Sequence, residues 1–237
     1  MKNSSFYLTG PPVEKVLLYN NSAFLWWYGL ILLMIAMIMP PIAQSQLYHA
    51  FADQRGFLGI PNFGDVVSNL PFLLIGATGI IFLQHDKWYG RKKDLTGSRS
   101  AYQLVFLSTV LAFPSSAYYH WAPNNTSLLL DRLPIAIGMM ALLAAVLLER
   151  ISLRRPNLLL TAFVSLGAAS VVYWYWSEQN GAGNLNFYIT VQFGALLLVA
   201  LLARFYPSRH SRAHDLYGVL GWYGLAKIAE MLDEPIY

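Results

Sequence analysis

The chain has 237 residues, of which 56% are hydrophobic and only 12% are charged. Because about 25% of the residues of an ordinary soluble domain are charged, this composition excludes a soluble globular protein. The chain contains no cysteine, which excludes disulfides and thiolate metal sites.

Apolar segments of about 20 residues, long enough to cross a bilayer core of ~30 Å, recur along the whole chain. We therefore predict an all-α fold, a polytopic bundle of seven transmembrane helices in a single integral domain, 1–237. In chain order the predicted spans are Phe24–Ala43, Asp65–Gln84, Ala101–His120, Leu129–Leu148, Leu158–Trp176, Leu185–Ala203 and Leu216–Leu232.

Cations are concentrated in alternate loops, namely "HDKWYGRKKDLTGSR", "ERISLRRP" and "ARFYPSRHSRAH". The connections between them, such as "APNNTS" and "SEQNGAGN", carry almost none. By the positive-inside rule the basic loops and the N-terminal tail are cytoplasmic, and the other loops and "DEPIY" lie outside. The net charge of +4 thus indicates orientation in a membrane, which we expect to be a bacterial inner membrane, and not a nucleic-acid partner.

Three polar side chains flank the turn between the third and fourth predicted spans. Ser116 and His120 are four residues apart and therefore share one helix face, and Asp131 follows in the next span. Each alone is typical of an interfacial residue or of a carboxylate near a helix N-terminus. Together they predict a polar site on the outer side, because ionisable residues in spans usually face a polar interior.

The start of the second predicted span adds polar residues on the same side. Asn62, Asp65 and Asn69 recur at helical spacing in "NFGDVVSNLPF", and the preceding loop contains His49 and Asp53. An alternative role for Asp65 and Asn69 is hydrogen bonding between helices.

The segment "SAYYH", followed eleven residues after its histidine by "DRLP", resembles the serine–histidine–aspartate signature of the alkaline ceramidases, members of the CREST superfamily of membrane hydrolases. "NFGDVVSNLPFL" and "AEMLDEPIY" extend the resemblance over 53–237, and 24–43 becomes an extra N-terminal span before six family spans. The resemblance implies an enzyme that cleaves the N-acyl bond of ceramide-like lipids entering from the bilayer, with a sphingoid base and a fatty acid as products.

The resemblance also implies a zinc ion held by three histidines, of which His120 would be one. Zinc with an open position lowers the pKa of its bound water to about 7. Ser116 and Asp131 would be the catalytic residues, Asp131 taking a proton from that water and Ser116 donating a hydrogen bond to the oxyanion. The family further holds a calcium ion, for which Asn62 occupies a ligand position and Asp53 and Asp65 are nearby oxygens.

His210 and His214 form an H-x-x-x-H pair, as do the other two zinc histidines of the family. The orientation above places this pair in a cytoplasmic loop, about one hydrocarbon thickness of ~30 Å from His120, so we exclude it as zinc-ligating. In the family the true pair follows the segment that "AEMLDEPIY" resembles. Since the sequence ends at Tyr237, we expect the last family span and two zinc ligands to be missing.

Two alternatives to an enzyme remain open: a receptor-like or structural seven-helix protein without turnover, and an inactive truncated fragment. The sequence does not determine the oligomeric state. Lys227 and Glu230, three residues apart in the last predicted span, are expected to form a structural ion pair.

Overall fold

The computed structural model describes residues 22–85, 97–151, 155–208 and 214–232. Within these ranges the regular secondary structure is helical, apart from one isolated β-bridge between Phe57 and Ile60. The prediction of an all-α fold is confirmed.

The helices follow the predicted spans closely. In chain order they are α1 Ser22–Ile38, a 3-10 turn Gln46–His49, α2 Phe63–Ser68, α3 Leu70–Gln84, α4 Ser98–Trp121, α5 Asn125–Arg150, α6 Pro156–Gln179, α7 Asn186–Phe205 and α8 Asp215–Met231. Helices α2 and α3 succeed each other across Asn69 and together form the helical segment Phe63–Gln84.

Four helical segments of the described chain are long and apolar enough to cross a membrane: Phe63–Gln84, α5, α6 and α7. This confirms the coarse prediction of a helical membrane protein. Helices α1 and α8 have 17 residues each. The predicted first span, Phe24–Ala43, is wrong at its end, because the helix stops at Ile38, just before Pro40 and Pro41.

Helix α5 is the centre of the bundle and packs against α4, α6 and α7. Its C-terminal half is almost fully buried, with Val146 and Leu147 packed against Val199 and Leu202 of α7. Its start is set by Asn124, whose side-chain oxygen accepts hydrogen bonds from the backbone N–H groups of Thr126 and Ser127. The Ser127 hydroxyl in turn accepts a hydrogen bond from the Asn124 backbone N–H, which completes a capping box. A capping box fixes where a helix begins, and here it fixes the position of Asp131 and Arg132 along α5.

Helices α3 and α4 approach closely through glycines. A Cβ atom added at Gly76 would lie 2.7 Å from the backbone nitrogen of Val110 and 2.8 Å from the carbonyl oxygen of Phe106. Gly79 packs directly against the Phe106 ring. Small residues at such contacts are typical of helices that associate in a membrane, where close van der Waals packing drives association.

Candidate functional site

Ser116 of α4 and Asp131 of α5 line one cavity of about 450 Å³. The Ser116 hydroxyl is near enough to the Asp131 carboxylate to act on its charge. One carboxylate oxygen of Asp131, Oδ1, is buried and has no hydrogen-bond partner among the described residues. The α4–α5 hairpin thus brings two of the predicted site residues together, as their positions on either side of the turn suggested.

The same cavity is closed by residues of α8 and of the loop after α1. Nζ of Lys227 lies 2.7 Å from both carboxylate oxygens of Glu230, which confirms the predicted ion pair. The Tyr48 hydroxyl donates a 2.8 Å hydrogen bond to Glu230. All three residues line the cavity, a location that the sequence did not predict. The apolar part of the wall includes Phe72, Val105, Ala112, Ile135, Met139 and Leu142.

Burial raises the pKa of the Tyr48 phenol, and the nearby negative charge of Glu230 raises it further. The phenol is therefore neutral at physiological pH and acts as a hydrogen-bond donor. Together with Lys227 it satisfies the Glu230 carboxylate, so this pair contributes little net charge to the cavity.

Arg132 is a residue of the site that the sequence reasoning missed. Its side chain lines the cavity and is only 7% exposed. The guanidinium lies 4.2 Å from the centre of the Trp174 ring and donates a 2.8 Å hydrogen bond from Nη2 to Gln44. An arginine inside an apolar span was the available signal, because such residues are rare and usually functional.

His120 lies at the C-terminal end of α4 but faces the start of the second predicted span. Its Nδ1 is 3.9 Å from Oδ2 of Asp65, and its ring centre is 4.5 Å from that of Phe51. The Asn62 amide donates a 2.8 Å hydrogen bond to the His120 carbonyl oxygen. The predicted approach of this segment to His120 is therefore present, whereas His120 is absent from the residues that line the cavity of Ser116 and Asp131.

His49 is engaged in a separate polar contact between the loop after α1 and the α4–α5 hairpin. Its Nδ1 is 3.0 Å from the Tyr119 hydroxyl, and its Nε2 is 2.9 Å from Oδ1 of Asn125. The Tyr119 hydroxyl also donates to the Tyr48 carbonyl oxygen over 3.1 Å. These contacts position Tyr48, which lines the cavity.

The described residues do not complete a zinc site. A catalytic zinc needs three protein ligands, and no group of three histidine, aspartate or glutamate side chains suited to a metal occurs in the described part of the chain. His214 precedes α8 at the end away from Glu230, about 24 Å along a 17-residue helix. His210 lies outside the described residues.

The proposed calcium ligands are neighbours, but they are engaged with protein groups. A Cβ atom at Gly64 would lie 2.8 Å from Oδ2 of Asp53, which places this carboxylate beside the start of α2. Arg55 binds both oxygens of Asp53, at 2.8 and 2.9 Å, and Asn62 donates to His120. Calcium requires six to eight oxygen ligands, so calcium binding here stays a prediction.

Comparison of the chain with protein-family models, with curated proteins and with solved structures found no match.

Proposed function

We propose that this protein is a membrane-embedded hydrolase that cleaves the N-acyl bond of ceramide-like lipids. The observation that supports this most directly is that the Ser116 hydroxyl and the Asp131 carboxylate line one cavity with a largely apolar wall. A carboxylate can serve as the general base for hydrolysis of an amide, and a hydroxyl can donate a hydrogen bond to the developing oxyanion.

The reaction joins one water molecule to the amide. Asp131 takes a proton from the water molecule while the water oxygen attacks the acyl carbon. The Ser116 hydroxyl donates a hydrogen bond to the carbonyl oxygen as negative charge develops there. The protonated Asp131 then delivers its proton to the leaving nitrogen as the C–N bond breaks. The products are a fatty acid and a free amine, and Asp131 returns to its starting state.

The shape of the cavity suits an amphipathic substrate. Its volume of about 450 Å³ is within the range of about 300–1,000 Å³ typical of sites for small ligands. The acyl chain of the lipid would lie along the apolar wall of the cavity, and its polar head would lie near Tyr48 and the Lys227–Glu230 pair. In the proposed orientation, seven helices span the membrane and the cavity opens toward its non-cytoplasmic side.

Zinc is part of the proposal because the resemblance implies it, with His120 as one ligand. The described residues offer only Asp65 near that imidazole, so no step above depends on the metal. Zinc, where bound, would polarise the carbonyl and activate water.

The test is release of labelled fatty acid from ceramide by membranes that contain the protein expressed from its complete gene. Asp131→Asn should lower the rate by about 10²–10⁴-fold, the usual contribution of a general base. Glu149→Gln is the matched control, because Glu149 is a second buried carboxylate of α5 that does not line the cavity. It should retain the rate.

Absence of hydrolysis with ceramide and with other N-acyl lipids, in well-folded wild-type protein, would contradict the proposal. It would favour the receptor-like or structural alternative. Equal rates for wild type and Asp131→Asn would leave an amidase but remove Asp131 from the mechanism.

A further inference from the structure

Arg132 is a buried cation that forms no salt bridge in the described part of the chain. Its side chain is 7% exposed, and the Asp131 carboxylate of the same cavity acts on it only from beyond salt-bridge distance. One guanidinium nitrogen, Nη2, donates to the neutral Gln44 amide. The other terminal nitrogen, Nη1, is buried and has no hydrogen-bond partner among the described residues.

Aromatic rings supply part of the stabilisation of this cation. The guanidinium carbon lies 4.2 Å from the Trp174 ring centre, 5.0 Å from that of Tyr188 and 5.5 Å from that of Tyr48. Cation–π contacts stabilise a desolvated guanidinium but leave its N–H groups unsatisfied. Burial of an incompletely paired charge is costly, so the position is explained best by a ligand that completes the pairing.

The cavity beside Arg132 contains few other groups that are ready to bind an oxygen ligand. The ammonium of Lys227 is held by both oxygens of Glu230, and the Tyr48 hydroxyl donates to the same carboxylate. Gln192 donates to the Tyr223 hydroxyl. Arg132 thus combines a full positive charge with an unused donor at a cavity whose wall is mostly apolar.

We propose that Arg132 binds the acyl oxygens of a lipid in this cavity: the carbonyl oxygen of the amide substrate and, after hydrolysis, the carboxylate of the fatty acid. The part of this inference that concerns the amide substrate rests on the proposed function. Binding of a long-chain carboxylate does not require turnover. The carboxylate has two sources, the product of hydrolysis and free fatty acid from the bilayer.

The interaction of Arg132 with the acyl oxygens becomes stronger as the reaction proceeds. The carbonyl oxygen carries a partial charge in the substrate and most of a full charge in the tetrahedral intermediate, and the product carboxylate shares one negative charge over two oxygens. A fixed guanidinium therefore stabilises the intermediate more than the substrate, which is the condition for catalysis. Arg132 would act beside Ser116 as a second donor to the oxyanion.

The binding experiment uses wild-type protein in nanodiscs and compares oleate with oleyl alcohol of the same chain length. Oleate should raise the unfolding temperature by several degrees, and the alcohol should raise it much less, because only the carboxylate pairs with Arg132. Equal shifts would overturn the inference without any variant. Arg132→Gln should remove the oleate-specific shift, and Arg132→Lys, which keeps the charge but not the planar fork, should retain part of it.

Arg150→Gln is the matched control. Arg150 is 4% exposed on the same helix, but it donates to the carbonyl oxygens of Leu202 and Val146 and does not line the cavity. It should keep the oleate-specific shift. A general effect of removing a buried arginine would instead abolish the shift in both variants, and that result would also overturn the inference.

The activity experiment separates this inference from the proposed function. In an active enzyme, Arg132→Gln should lower kcat by roughly 10²–10³-fold, as for loss of one oxyanion donor, and should weaken inhibition by oleate. Unchanged kcat and unchanged inhibition would refute the role of Arg132 while hydrolysis stands. Oleate binding through Arg132 in a protein that hydrolyses no amide would refute the proposed function, retain the carboxylate site and identify free fatty acid as its source.

Discussion

Oδ2 of Asp65 on α2 lies 3.9 Å from Nδ1 of His120 on α4. The sequence separates these residues by a complete helix and a loop, yet the packing of α2 against α4 places a carboxylate beside the imidazole. The pair is held from a second direction by the hydrogen bond from Asn62 to the His120 carbonyl oxygen. A carboxylate at a histidine is also how many proteins orient an imidazole that binds a metal.

The first prediction concerns this histidine. If zinc is bound as proposed, His120→Ala should reduce the zinc content of the purified protein to background, because it removes a nitrogen ligand. His49→Ala is the control, since His49 lies on the same side of the bundle but is bound to Tyr119 and Asn125. Elemental analysis of both variants decides the matter, and zinc retained in full by His120→Ala would exclude His120 as a ligand.

The second prediction concerns the contact between α3 and α4. Gly76→Leu should destabilise the protein by about 1–3 kcal/mol or more, because overpacking forces backbones apart and the space at Gly76 is filled by backbone atoms of Val110 and Phe106. Gly218→Leu on α8, where nothing lies within 4 Å, should change stability little. Thermal unfolding in detergent compares the two. Equal losses would mean that the close approach of α3 and α4 is not a source of stability.

The third prediction concerns the start of α5. Asn124→Ala should cost about 0.5–2 kcal/mol, the usual effect of losing an N-cap side chain. Two backbone N–H groups, of Thr126 and Ser127, lose their acceptor in this variant. Asn180→Ala, which removes one exposed hydrogen bond to Trp176 after α6, should cost less. The measurement is again thermal unfolding, and a larger effect at Asn180 would contradict the role of the cap.

The fourth prediction concerns orientation and uses the two ends of α6. The chain has no cysteine, so any labelling of this protein by a thiol reagent comes from the single cysteine that is introduced. Asn180→Cys should react with a membrane-impermeant thiol reagent in intact cells, and Arg155→Cys should react only after the membrane is opened. Both positions are exposed in the fold, so access depends on the side of the membrane. The reverse pattern would invert the proposed orientation and place the cavity toward the cytoplasm.

Much of the helical architecture follows from the sequence alone. The period and length of apolar segments depend on local composition, so each of the seven predicted segments contains a helix, with ends displaced by a few residues. The spacing of Lys227 and Glu230 predicted their ion pair for the same reason, because helical neighbours are fixed by the period. Pro40 and Pro41 follow the end of α1 at Ile38 and are a sequence signal for that end, whereas the predicted span runs past them to Ala43.

The composition of the site was decided by tertiary packing. Ser116 and Asp131 flank a short turn and were predicted to meet, whereas the partners that complete their cavity, Tyr48 and Glu230, come from distant parts of the chain. Arg132 was read as part of a motif, and only the fold shows it buried against Trp174. Local pattern determines which residues are helical and which face they share. Which faces meet depends on the shape and packing of whole helices, and that information is not contained in the spacing of any single segment.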